Sequence, residues 1–166
     1  LLWRYPVEGF SFFYRHAAGL GGAFYLAAGL FFLKRLLERH VPTGVVVATL
    51  LTITFGTNLF HYATFDALWS HVYSFSLIAC LLDQLDSWER HPTRAGALLV
   101  GIVIGLILLV RSANVSVLLF LPLFGVTDLA SLRARPAVLR ARTPQLALMA
   151  LAAGVVFAPQ LATYKS

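Results

Sequence analysis

Between Arg94 and Arg111 the chain runs for sixteen residues without a charged side chain, and it returns to such runs along its length. Apolar stretches recur at about 17–33, 44–62, 68–82, 95–110, 115–127 and 144–163, with most of the charge in the short segments between them. A helix of about twenty apolar residues is long enough to cross a bilayer. It also satisfies its own backbone N–H and C=O groups, which hydrocarbon demands. The stretch 17–33 is near the lower limit of that length, 68–82 is short enough that its ends are solvated or its tilt is less than average, and 115–127 is also short. Composition agrees: 59% of the residues are hydrophobic and 12% charged, where a soluble domain is about half apolar and about a quarter charged. These features predict an all-α fold, a polytopic transmembrane helical bundle of about six spans. The chain begins at Leu1 rather than Met and stops at Ser166 soon after an apolar run. It therefore reads as a fragment, residues 1–166, of one transmembrane domain.

The net charge of +6 is not a nucleic-acid signal, because the basic residues sit in short loops. That placement suits cytoplasmic loops and anionic headgroups. Nine of the 13 Lys and Arg residues fall in the segments 34–40, 83–94 and 128–143, and these alternate with the poor segments 63–67 and 111–114. The positive-inside rule puts the rich segments in the cytoplasm. His61, Asp66, His71, Arg111, Asn114, Gln160 and Tyr164 then share the outer side. The segment from Asp83 to Arg94 is expected to be a mixed-charge loop. Trp3, Tyr5, Phe10, Phe12, Phe13 and Tyr14, mixed with Arg4, Glu8, Arg15 and His16, suit a membrane interface. Gly19, Gly21 and Gly22 in the first run, and Ala97, Gly101 and Gly105 in the fourth, allow a neighbouring helix to approach closely. Cys80 is a small hydrophobe within an apolar run. Walker, GxGxxG, CxxC and GxSxG motifs are absent.

The stretch Thr54 to Tyr73 carries the chemistry. Thr54, Asn58 and His61 are spaced i, i+4 and i+7, so one continuous helix would place them on one face. Asp66 follows in a break, and Ser70, His71 and Ser74 open the next run. Ionisable groups at the mouth of apolar helices are costly and are usually functional. A carboxylate beside two imidazoles can act as a general base or hold a divalent metal, which makes His61, Asp66 and His71 weak metal candidates. Their spacing matches no standard metal motif, and the plainer alternative is that the histidines cap helix ends. Arg111 ends the uncharged run, where its planar fork can grip a phosphate with backbone donors at 112–114 and Asn114 beside it. The alternative is an arginine snorkelling to headgroups. Gln160 and Tyr164, four residues apart after Pro159, can line one wall of the same cavity, or simply anchor the interface together with Lys165.

Three runs, FGTNLFHYATFDALWSHVYSF, GLILLVRSAN at 105–114 and FAPQLATYK at 157–165, resemble the middle of bacterial polytopic glycosyltransferases. These are the family 39-like members of the GT-C superfamily, relatives of protein O-mannosyltransferases and of the lipid A aminoarabinose transferase. Ser70-His71-Val72-Tyr73-Ser74-Phe75 matches the Ser-His-x-Tyr-Ser-Phe element of that family. Arg111 and Asn114 match its Arg-Pro-x-Asn element, with Ser112 where Pro is usual. Pro159-Gln160 with Tyr164-Lys165 matches a third. The resemblance spans roughly residues 9 to 165.

It implies transfer of a hexosyl or pentosyl group from a polyprenyl-phosphate sugar at the outer face of a bacterial inner membrane, in building the cell envelope. The acceptor is a lipid, a glycan or a protein. The main catalytic carboxylate of such enzymes follows the first span and would precede Leu1, which leaves Asp66 and His71 as auxiliary groups. Arg111, Asn114 and His71 would hold the donor phosphate, and Asn58, His61, Ser70, Tyr73, Gln160 and Tyr164 would line the substrate cavity. Beyond the lipid-linked donor, a divalent metal is the one cofactor suggested. The partners are membrane lipid and the lipid-linked sugar, with no nucleic acid. A secondary transporter or lipid flippase is the alternative, and it should carry polar residues near mid-membrane on broken helices. A non-catalytic membrane subunit is a third reading.

Overall fold

The computed structural model describes residues 12–163, with the side chains of 161 and 162 left aside. Trp3, Tyr5, Phe10, Tyr164 and Lys165 lie outside the described residues. All regular structure among those described is helical: α1 (Phe12–Leu37), α2 (Thr43–Gly56), α3 (Leu59–Thr64), α4 (His71–Arg90), α5 (Arg94–Val110), α6 (Phe120–Leu123), α7 (Leu129–Ala141) and α8 (Thr143–Thr163). A 3-10 stretch, Ser112–Leu119, links α5 to α6. Two helices are long and apolar enough to cross a membrane, α1 and the Thr143–Gln160 part of α8. The described residues form two compact units, which divide between Ser76 and Leu77.

In the first unit α1 packs on α2, α3 and the start of α4. The close approach is made at Gly22 and Gly29. A Cβ on Gly22 would lie 2.5 Å from the Ala63 carbonyl oxygen and 2.8 Å from the Ala67 Cβ, and one on Gly29 would lie 2.6 Å from the Phe75 ring. Gly19 has nothing within 4 Å. Of the expected glycine trio only Gly22 serves as a tight contact, and Gly29, one further helical repeat along, takes the second place. Leu59, Ala63 and Val72 form the small core, closed by Tyr25, Leu26, Ile53, Tyr73 and Phe75. The expected span 44–62 is not one helix. α2 stops at Gly56, and Thr57 bridges the break by donating to the Ile53 carbonyl and accepting from the Leu59 N–H. Glycine and β-branched threonine are poor helix formers, so two of them in succession with Asn58 allow the chain to turn.

In the second unit α5 lies against α8 along the predicted small-residue stripe. Ala97, Gly101 and Gly105 are all buried. A Cβ on Gly105 would lie 2.6 Å from the Val156 Cβ, so these glycines set how closely the two backbones approach. Leu81, Leu85, Trp88, Val100, Ile104 and Met149 belong to the core that results. The expected loop from Asp83 is instead helical as far as Arg90. Two of its charges, Asp86 and Glu89, are paired. Asp86 receives Arg90 one turn on, and Glu89 receives both Arg135 and Arg142. Arg135 also donates to the Leu121 and Pro122 carbonyls at 2.9 and 3.0 Å, and Arg142 lies 4.9 Å from the centre of the Trp88 ring. The expected short span 115–127 is the 3-10 stretch followed by the single turn of α6, closed by Gly125 at φ 78°, a backbone region that favours glycine.

The basic segment 128–143 also contains a helix. Asp128 caps α7 by accepting the Ser131 N–H at 2.7 Å, while the Ser131 hydroxyl accepts the Asp128 N–H at 3.0 Å, a reciprocal capping box. These bonds favour the charged carboxylate, so the Asp128 pKa lies below its ordinary value, the Ser131 backbone bond contributing most. An unfolded aspartate titrates near pH ~4. The cap's contribution is therefore complete above that pH and is lost as pH falls through the lower folded value. Asp128→Ala should speed hydrogen exchange at the Ser131 and Leu132 amides at neutral pH. In acid below the folded carboxyl's pKa, the parent protein and the variant should exchange alike.

Candidate functional site

The first unit brings part of the expected outer cluster together. α3 ends at Thr64, and the turn 65–70 carries the chain back into α4. This turn is pinned from below by Tyr73, whose hydroxyl donates to the Ala67 carbonyl at 2.8 Å and whose ring meets Tyr25 edge-on at 4.8 Å. The turn leaves Asp66 free to face His61, with Nε2 and Oδ2 2.9 Å apart. Both side chains are about half exposed, at 57% and 46%. An exposed pair of this kind contributes only ~0–1 kcal/mol to stability, so its groups are accessible to a ligand at little cost to the fold.

His71 does not join that pair. Its ring stacks on Tyr62 at 4.4 Å and faces Trp69 at 6.2 Å, held in an aromatic slot. Among the described residues no group of three or more His, Cys, Asp or Glu side chains comes together. His61, Asp66 and His71 thus meet as one pair and one stacked ring, because the turn separates the two imidazoles. The i, i+4, i+7 face is also divided. Thr54 is buried on α2 and donates to the Leu50 carbonyl, while Asn58 lies exposed past the break. Ser70 is half-buried, and its carbonyl accepts the Ser74 N–H at the start of α4. Tyr73 belongs to the packing beneath the turn.

Asp66 opens onto a cleft of about 840 Å³ whose walls include Phe12, Arg15, His16, Phe65 and Trp69. The cleft exists because Gly22 lets α1 come down onto Ala63, which sets the first turns of α1 beside the 65–70 turn. Arg15 and His16 enter the site only in three dimensions. In the sequence they stand among interfacial aromatics, far from Asp66, and no local pattern joins them. The His16 Nδ1 is 2.8 Å from the Phe12 carbonyl oxygen, which holds the imidazole close to its own helix. The cleft therefore offers a guanidinium, an imidazole and a carboxylate among aromatic faces, a set suited to a ligand bearing both an anionic and a hydroxylated part.

The second unit holds Arg111, Asn114 and Gln160. Arg111 caps α5 in an extended conformation, its N–H bonded to the Ile107 carbonyl and its own carbonyl accepting the Asn114 N–H at 3.0 Å. Its side chain is exposed and makes no hydrogen bond or ion pair with any described residue. Gln160 is half-buried in the last turns of α8, and its carbonyl accepts the Thr163 hydroxyl. Comparison with protein families, with characterised proteins and with solved structures finds no match to this chain.

Proposed function

We propose that this chain is part of a membrane glycosyltransferase that moves a sugar from a polyprenyl-phosphate donor to an acceptor at the outer face of the membrane. The carrying observation is Arg111. It is an exposed guanidinium, unpaired among the described residues, at the end of a seventeen-residue apolar helix whose only charge is Arg94 at the other end. A lipid phosphate lies at the membrane surface and needs a cation at that depth, and Arg supplies two parallel donors to it. The leaving phosphate gains charge during transfer, which a fixed cation stabilises. Asp66, paired with His61 at the edge of a cleft, is an auxiliary carboxylate able to orient an acceptor hydroxyl. His71 is held in its slot as a second auxiliary group.

A membrane setting is supported by the apolar side chains that α1 and α8 expose. Leu20, Phe24 and Phe31 on α1, and Leu151 and Val155 on α8, are each more than half exposed. Outward apolar surface on two long helices is the pattern expected where lipid covers it. The proposed topology has six spans, with 34–40, 83–94 and 128–143 in the cytoplasm of a bacterial inner membrane. A membrane-impermeant thiol reagent added from outside should leave Ala137→Cys unlabelled, in a background where Cys80 is replaced by Ala. Labelling of intact cells at that position would reverse the topology.

The functional test is transfer from a polyprenyl-phosphate sugar by the full protein, at matched expression in membranes. Arg111→Ala should weaken donor use by about 2–5 kcal/mol, the range for truncating a desolvated charge pair. Arg111→Lys keeps the charge but loses the planar fork, so it should retain part of the activity. An interfacial anchor would tolerate both changes, and full activity in both variants would remove Arg111 from the phosphate site.

A further inference from the structure

We propose that α7 is an interfacial helix that docks on a bilayer surface rich in anionic lipid, presenting Arg133 and Arg140 to the headgroup phosphates. The inference rests on the membrane reading of α8 and is independent of sugar transfer. The two arginines are seven residues apart, two turns along one helical face. Both are exposed, and neither guanidinium forms a hydrogen bond or ion pair with a described residue. The opposite face is occupied. Arg135 is buried and held by Glu89 and by the Leu121 and Pro122 carbonyls, which fixes the rotation of α7 about its axis. That rotation also turns Leu129, 71% exposed, to the side of the helix that carries Arg133 and Arg140, and leaves Leu132, 44% exposed, at the edge of that side.

A free helix face with two unpaired arginines among outward leucines has the composition of a surface that lies at the headgroup boundary. Charge complementarity selects the occupant. Asp128, the one acidic residue in the segment 128–143, is committed to the α7 cap, so nothing within it neutralises Arg133 or Arg140. Continuity agrees, because α7 ends at Ala141 and the membrane-length part of α8 begins at Thr143. A helix one residue from the mouth of a span is at headgroup depth. Guanidinium groups there grip lipid phosphates bidentately, and the leucines sink towards the acyl boundary.

The test uses the full chain with Cys80→Ala and Ala137→Cys, labelled with an environment-sensitive fluorophore. The labelled protein is reconstituted into phosphatidylcholine vesicles with or without phosphatidylglycerol. Phosphatidylglycerol should shift the emission to the blue and make it sensitive to brominated lipid, and high salt should reverse this. Each arginine removed should lower the docked-to-free ratio about fivefold, so R133Q/R140Q should lose the response. Both residues are exposed and unpaired among the described residues, so the double variant should fold as the parent does. An identical emission in both lipids, or a response that survives in R133Q/R140Q, overturns the proposal while vesicle flotation still reports membrane insertion. Failure of the protein to float with vesicles overturns both the docking and the membrane reading beneath it.

Discussion

Replacing Glu89 with Ala is expected to destabilise the second unit by about 3–5 kcal/mol, the range for removing one partner from a buried ion pair. Glu89 is the shared acceptor of Arg135 and Arg142, and all three side chains are at most 21% exposed. Without the carboxylate, two guanidinium groups stay in a site that no longer balances them. Arg142 keeps its place over Trp88, and Arg135 keeps two carbonyls, so the site cannot simply empty into solvent. Glu89→Gln retains an oxygen acceptor but no charge and should fall between the parent and Glu89→Ala. Thermal unfolding in detergent, followed by tryptophan fluorescence, reads the order directly. Glu89→Ala with the parent's midpoint would show that the three charges are solvated in practice.

Gly101→Val is expected to have the second large effect, about 3 kcal/mol or more, at the severe end of overpacking. A Cβ at Gly101 would collide with the Met149 carbonyl oxygen and would lie 2.8 Å from the Ala152 Cβ and from the Met149 Cα. The obstacles include the α8 backbone itself, so no side-chain rotation relieves them and the two helices must separate. That separation exposes the Val100, Ile104 and Met149 core. Gly154 lies on α8 with nothing within 4 Å of a Cβ. Gly154→Ala should therefore be neutral or slightly stabilising, because alanine restricts the unfolded chain more than glycine does. The contrast between the two positions separates a contact effect from general helix propensity. Equal midpoints for Gly101→Val and the parent would refute the close α5–α8 approach.

Helical character was legible because it depends on local quantities, namely uncharged runs, apolar side chains and helix-permissive composition. The stripe Ala97, Gly101 and Gly105 was legible for the same reason, since a four-residue spacing of small residues marks a face whatever its partner. Which helix meets that face was not, because α8 begins far along the chain and packing, not propensity, selects it. The glycines of α1 show the same division. Three adjacent candidates were visible, yet the crossing uses Gly22 with Gly29, since only one side of a glycine-rich helix can meet a neighbour.

The candidate site divides along the same line. His61 and Asp66 are five residues apart, and their pairing needs only a local turn, so the sequence alone pointed to them. The split of Thr54 from Asn58 and His61 was hidden, because periodicity assumes an unbroken helix and α2 ends at Gly56. Arg15 and His16 reach the Asp66 cleft only through the packing of α1, which no local spacing encodes. The charged stretch after Asp83 was read as a loop because isolated charges favour water. It is helical because Glu89 meets Arg135 and Arg142, 46 and 53 residues further on. By itself the sequence determined that the chain is helical and which stretches carry no charge, since both follow from side chains taken one residue at a time. Only the tertiary structure decided which charges are neutralised and which groups share a cleft, since both depend on contacts between residues distant in the chain.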